Sequence, residues 1–420
     1  MRAVFFTRHN NDFDTLVAVA DAWVAAAPDN EALIYVATPA LKWKNDFRTR
    51  MLRANPRIAF TDIWQVAGRA IGGPVDRLWQ ANKPDDRLER RLLEWATEAI
   101  VRPGFNAKLI AMLEAYDPDI VAFDWWNVPP RRKPFDHFGY QATIAWKQSK
   151  GVPLISLPHG MMLYEGRSQA LFTWATPYDR IFMENDRRKA KFLKGGHPDS
   201  QIAVCGAPRY EPQWVDRLLV ELRGPEPQKR DDGLAHVVFF DKRHAFYFDF
   251  TEHLQWLTHL ADHPRVRLTI QPHPRGQKLA SLRPLMGHPR IAIDAETPAS
   301  LLIDRHDIVS TITSSVMVEA VIRGREILYP KFLSTVTTRF QEAGACIALE
   351  SLADTHTAID RFLAGERVPR PLYDDFLREV AFGGGSPNTR GRVVAEMTRI
   401  ARQFRAARQA GPSPIPATAK

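Results

Sequence analysis

The sequence predicts an α/β protein made of two doubly wound parallel-sheet domains in tandem, facing each other across an interdomain cleft. Three observations carry that expectation. Short β-branched or apolar runs alternate with longer helix-period segments along the chain, as in repeated βα units. A charged stretch with proline and glycine, "RGPEPQKRDDG" at 223–233, divides those runs into two sets. The 420 residues also suit two domains of about 190 residues each.

In chain order, the first set of strands is "AVFFT", "ALIYVA", "RIAF", "DIVAFD", "PLISL", "DRIFM" and "IAVCG", and the second is "HVVFFD", "VRLTIQ", "RIAID", "DIVSTI", "EILYP" and "ACIALE". Residues of about 40–110 depart from the alternation. They are rich in Arg, Lys and Trp ("LKWKNDFRTRMLR", "RLERRLLEWATEAIVRP") and read as a mostly helical insertion. Such a segment is either a solvated face over a core stripe or a basic surface for an anionic glycan or a membrane-borne acceptor. The expected organisation is an N-terminal domain over 1–222, a linker at 223–233, a second domain over 234–385, a last helix over 386–408 and a disordered Pro/Ala-rich tail over 409–420.

Composition bounds the function. With 45% hydrophobic and 25% charged residues the chain reads as a soluble globular protein, without a run long enough to span a bilayer. The start "MRAVFFTRHNND" turns polar too early for a signal peptide, so a cytoplasmic location is expected, with the inner face of the cell membrane as an open refinement. Cys205 and Cys346 sit in strand-like runs without CxxC spacing, which points to core residues and to no metal site. A net charge of +9 favours anionic partners: a nucleotide, an acidic glycan or anionic lipid, but not nucleic acid, since no nucleic-acid module is recognisable.

The stretch "QPHPRG" ends the run "VRLTI" and brackets His273 between two prolines. Proline fixes φ and lacks an N–H, so the imidazole is held extended at a strand terminus. The tripeptide "HPR" occurs at His263, His273 and His288, but only His273 follows a strand on its carboxyl side, where ligands bind in open α/β sheets. Arg275 accompanies it. In "DIVSTITSSVMVEAVIRG" a strand runs into Thr313, Ser314 and Ser315 at a helix N-terminus, where backbone amides and the dipole favour phosphate. Glu319 lies one turn on, within reach of ribose hydroxyls; the plainer alternative makes the serines a cap and Glu319 a helix-surface acid.

Three loops of the first half end at the same kind of edge. "TRHNNDFDTL" crowds His9, Asn11, Asp12 and Asp14 into the first βα loop, where either aspartate caps the helix or faces the cleft as a base. "LPHG" places His159 and Gly160 after a strand, and "CGAPRY" places Gly206 and Arg209 at the exit toward the second domain. "AFGGGSPNTRGRVV" lacks the context of a dinucleotide fingerprint.

The ordered series "TRHNNDFD", "GVPLISLPHG", "YDRIFMEN", "CGAPRY", "QPHP", "DIVSTITSSVMVEAVIRG" and the glycine-led last helix resembles the surface and capsule polysaccharide biosynthesis proteins of the GT-B glycosyltransferase class, over about residues 1–400. The resemblance implies two Rossmann-like domains and transfer of a sugar or polyol phosphate from a nucleotide-activated donor, of cytidine type, to a glycan or lipid-linked glycan acceptor. It assigns the donor phosphate to His273 and Ser314/Ser315, places His159 and Gly160 near the reaction centre, and needs no cofactor or metal. Two other readings stay open: an epimerase resembling UDP-N-acetylglucosamine 2-epimerase, and a non-catalytic glycan-assembly subunit of the same fold.

Overall fold

In a computed structural model the described residues are 1–8, 10–37, 43–68, 95, 104–124, 139–157, 160–161, 163–164, 176–223, 232–241, 250–273 and 279–410. All thirteen expected strands are present. They are β1 (Arg2–Thr7), β2 (Glu31–Val36), β3 (Ile58–Asp62), β4 (Ile120–Phe123), β5 (Leu154–Ser156), β6 (Arg180–Met183) and β7 (Ile202–Val204), then β8 (Ala235–Phe240), β9 (Val266–Gln271), β10 (Ile291–Ile293), β11 (Ile308–Ser310), β12 (Glu326–Pro330) and β13 (Ile347–Leu349). They form a seven-stranded sheet ordered β3-β2-β1-β4-β5-β6-β7 and a six-stranded sheet ordered β10-β9-β8-β11-β12-β13. Pairing is parallel throughout, with registers such as Phe5↔Ile34 and Val309↔Val238.

The central strands are apolar on both faces because helices cover both sides of a parallel sheet. β2 beyond Glu31, β4, β8 and β12 are buried residue after residue. In the first core, Phe6 meets Tyr35 edge-on at 4.8 Å and Phe123 at 4.9 Å, and Tyr140 closes on Phe123 at 4.2 Å. In the second, Trp256 packs on Phe239 at 5.4 Å among Leu257, Leu260, Ile270 and Ile359. Cys205 is buried and Cys346 half-buried; burial pushes their thiols up to about 11 and about 12.

The chain divides into two compact units, one of Met1–His159, Leu171–Arg209 and Asn388–Lys420, the other of Gly160–Ala170 and Tyr210–Pro387. The helix Pro212–Arg223 therefore groups with the second sheet, and the last helix, Thr389–Ala410, with the first. Of the basic segment at 40–110, the described parts are a turn at Trp43–Asn45, helices Phe47–Arg53 and Ile63–Ala67, strand β3 and the start of the helix Phe105–Tyr116. The stretch 224–231 and the tail from 411 lie outside the described residues. Among the described residues no helix is long and apolar enough to cross a membrane.

Candidate functional site

Both sheets contain the order 3-2-1-4-5-6, to which the first adds a seventh strand, and this makes the first and fourth strands of each sheet neighbours. The chain winds away from that pair in opposite directions, so the loops at their carboxyl ends diverge and leave a crevice. In the second sheet that point falls between β8 and β11, with β9 on the far side of β8.

β11 ends at Ser310, whose hydroxyl donates to the Leu328 carbonyl at 2.6 Å. Thr311–Ser315 then form the loop into the helix Val316–Ile322, so the residues singled out from sequence stand at the crevice. Thr311 and Thr313 are buried, 0% and 8% exposed, and their hydroxyl oxygens have no hydrogen-bond partner among the described residues. An unpaired buried hydroxyl costs about 1–3 kcal/mol, and both oxygens are closed to solvent, so the hydroxyls of this loop that a ligand can reach are those of the half-buried Ser314 and Ser315. Ser314 Oγ accepts the Val316 N–H at 3.4 Å, whereas Ser315 makes no side-chain cap and is half-buried. Capping thus occupies one serine. The Ser315 carbonyl accepts the Tyr210 hydroxyl at 3.0 Å, which fixes the loop from below.

Glu319 is half-buried, and its Oε1 accepts from Nε and a terminal nitrogen of Arg323 at 3.1 and 2.9 Å. His273 follows β9 and is half-buried behind a buried Pro272, while Gln271 donates to the Thr297 carbonyl at 2.6 Å. Arg275 lies outside the described residues. The other two "HPR" copies show what the tripeptide does alone. At His263 and His288 the ring Nδ1 accepts the N–H two residues on, from Arg265 and Arg290, and Nε2 faces Asp360 and Asp262. These are satisfied structural turns at the amino ends of β9 and β10.

In the first sheet the equivalent point lies between β1 and β4. Arg8, directly after β1, lies buried across Asp124, directly after β4, at 3.2 Å from Nε and 3.0 Å from a terminal nitrogen. The Tyr140 hydroxyl donates to the same carboxylate at 3.1 Å. Asp12, wholly buried in the first turn of the helix Asn10–Ala25, accepts the Arg8 backbone N–H at 3.2 Å. Burial alone would lower the Arg8 pKa; the facing Asp124, with Tyr140 and Asp12, outweighs it and raises the pKa, so the guanidinium stays charged. Burial first, and the Asp124 charge second, push the Tyr140 and Tyr178 hydroxyls well above their ordinary range.

Asp14 caps nothing, being in the second turn of that helix. One carboxylate oxygen pairs with Arg48 and the other lies 3.3 Å from Arg209. Arg48 is in turn held by Asp46, the N-cap of the helix Phe47–Arg53. Burial would lower the Arg48 pKa, and Asp14 and Asp46 raise it. Two candidates chosen from separate motifs, Asp14 and Arg209, are thereby in contact. Gly206 takes φ 82° and donates its N–H to the Met183 carbonyl at 3.2 Å, a turn that an L side chain would strain. Gly160 is half-buried. His9, His159 and the Asn11 side chain lie outside the described residues.

Sequence reasoning passed over Arg8, Asp124 and Tyr140, and also Asp241 after β8. The Asp241 carboxylate, fully buried, lies 3.7 Å from Nε2 of the buried His253. The rule that selected His273, a polar residue just beyond the carboxyl end of a strand, would have found both aspartates. Among the described residues no group of three or more His, Cys, Asp or Glu is arranged to hold a metal ion.

No family model matches the chain, and no curated protein matches it. Solved structures do. The chain is similar to UDP-GlcNAc 2-epimerase from Neisseria meningitidis bound to UDP-GlcNAc, with a TM-score of 0.58 and 12% identity over 95% of this chain and 100% of that one. The UDP-GlcNAc 2-epimerase from Methanocaldococcus jannaschii gives 0.59 and 12% over 95% and 100%. A glycosyltransferase from Rickettsia africae gives 0.51 and 8% over 96% and 98%. At such identities the likeness is one of fold, and with the two parallel sheets of seven and six strands it makes this a GT-B-like chain.

Proposed function

We propose that the chain is a metal-independent glycosyltransferase of surface or capsular polysaccharide biosynthesis, moving a sugar or polyol phosphate from a nucleotide-activated donor, of cytidine type, to a glycan acceptor in the cytoplasm. The observation that carries the reading is the Thr311–Ser315 loop at the strand-order reversal of the second sheet, which brings the half-buried Ser314 and Ser315 to the start of the helix Val316–Ile322. Hydroxyl and amide donors in that place suit the donor phosphate, and His273 beyond β9 adds an imidazole N–H. In transfer of a sugar, the acceptor hydroxyl oxygen bonds to the reacting carbon as the bond from that carbon to the donor phosphate oxygen breaks; in transfer of a polyol phosphate it bonds to the phosphorus that carries the polyol as the bridging P–O bond to the nucleotide phosphate breaks. The electron pair leaves on the phosphate, where fixed donors stabilise it. The hydroxyl proton passes to a base. Asp14 is the first candidate, since its side chain is 26% exposed; Asp12 is wholly buried.

The test is a thermal-shift screen with CMP, CDP, UDP, GDP and their sugar conjugates. A ligand that binds only the native state raises the melting temperature by mass action, so a cytidine conjugate should give the largest rise. Failure of every nucleotide to shift the melt would sink the reading and favour a non-catalytic glycan-assembly subunit. A second reading, a nucleotide-sugar epimerase, draws on the similar structures named as UDP-GlcNAc 2-epimerases. Incubation with UDP-GlcNAc alone separates the two, because an epimerase needs no acceptor.

A further inference from the structure

A cavity of about 690 Å³ runs along the open edge of the first sheet. β7 ends the strand order there, so among the described residues it pairs only with β6. The Cys205 amide donates to Met183, so by the alternation of a parallel ladder the backbone amides and carbonyls of Ile202 and Val204 face the groove, while the Ile202 side chain is buried in the core. One wall holds Arg180, Lys189 and Asp199, and the other is one face of the helix Thr389–Ala410, formed by Arg392, Ala395, Glu396 and Arg399. Four cations against two carboxylates leave a surplus of two positive charges.

The cations are held in place. Glu396 takes Arg180 at 2.9 Å and Arg399 at 2.7 Å, Lys189 reaches Asp199 at 2.6 Å, and Arg392 Nε donates to the Cys205 carbonyl at 3.3 Å. Hydrogen bonds from Arg399, then the charge of Arg180, hold the Glu396 carboxyl below its usual range. Arg392 and Arg399 stand two helical turns apart on one face, about 10 Å along the axis, with Ala395 and Glu396 between them, the Glu396 carboxylate being bonded to Arg399. Strand amides and carbonyls on the floor suit hydroxyl groups, and the paired guanidinium groups suit carboxylates at a fixed spacing.

We propose that this groove binds an acidic oligosaccharide, one that carries a carboxylate on alternate sugars, with Arg392 and Arg399 each taking one carboxylate. The assignment is independent of the nucleotide reading, because binding needs no nucleotide and is measured without one.

The experiment is calorimetric titration of the full chain with a hyaluronan hexasaccharide and with the same hexasaccharide after reduction of its carboxylates to alcohols. The acidic form should bind, the reduced form should bind at least tenfold more weakly, and Arg399→Ala should weaken the acidic form about tenfold, the usual scale for one charge-assisted contact. Ala395→Glu, a change the exposed helix face tolerates, should abolish binding while the melting temperature stays at the parental value. Equal affinity for the two forms, no binding of either, or an equal loss on Arg267→Ala, an exposed cation on the other unit, would overturn the proposal; the last would reduce the effect to net charge.

Discussion

Arg8 and Asp124 form a two-pronged pair with side chains 5% and 0% exposed. A buried charge left without its counterpart is far more costly than the pair itself is stabilising. Asp124→Asn should therefore lower stability by about 3–5 kcal/mol, read as a fall in the denaturant midpoint; a change under about 1 kcal/mol would mean that water reaches the guanidinium. Asp14 sits in a different setting, half-buried between Arg48 and Arg209. Asp14→Asn keeps an oxygen for one arginine and removes the basic carboxylate. Under the transferase reading the variant binds donor nucleotide normally and loses transfer, whereas parental transfer would move the base to His159. His273→Ala should keep the fold and lower turnover by about two to three orders of magnitude, the usual loss of one charge-stabilising donor. An unchanged rate in a folded variant would make it a turn residue like His263.

The elements themselves were legible in the sequence. Every strand run appears: the central strands, covered on both faces, are apolar without interruption, while β3, β9, β10 and β13 keep exposed positions among apolar ones, and both patterns survive without any knowledge of tertiary contacts. What was not legible is which polar side chains meet. The pairing of Asp14 with Arg209 spans nearly the whole first unit, and the division of labour between Ser314 and Ser315 depends on a backbone angle, not on residue type. The "HPR" copies make the same point: one tripeptide is a structural turn at His263 and His288, and only its place relative to a strand sets His273 apart. Two histidines invisible as a pair in the sequence, His259 and His356, stack at 4.1 Å between the helices Phe250–Asp262 and Asp354–Leu363. Partial burial, then the neighbouring His356, lowers the His259 pKa from its ordinary 6.5. A lowered folded-state pKa means that the unfolded chain binds the proton first, so this contribution to stability is present above about pH 6.5 and fades as pH falls through the folded-state value. His356→Gln should flatten the decline of melting temperature between about pH 7 and pH 5; an identical slope would remove the stack from the account.

At the scale of the whole molecule, the last described helix returns to the unit that holds β1. The helix Thr389–Ala410 belongs to the first unit, although it follows the second sheet. Its apolar stripe of Val393, Val394, Met397 and Ala401 is buried, and the polar flanks tie it down: Arg390 to Asp21 at 3.1 Å, Arg405 to Asp119 at 2.7 Å and Glu396 to Arg180. Asp119 also accepts the Arg2 N–H, so the last helix grips the same aspartate that anchors the first strand. The first unit is therefore incomplete without residues far away in sequence, and a fragment cut at 223 would expose the face that the stripe covers. Met397 is the sharpest probe, being 0% exposed. Met397→Ala should cost about 2–5 kcal/mol through lost transfer and a cavity, and it should do so in the unit that holds β1, not in the one that precedes the helix. Hydrogen exchange of the strand amides reads this directly: β1 and β4 should lose protection while β8 and β11 keep theirs, and the reverse pattern would place the helix with the second sheet.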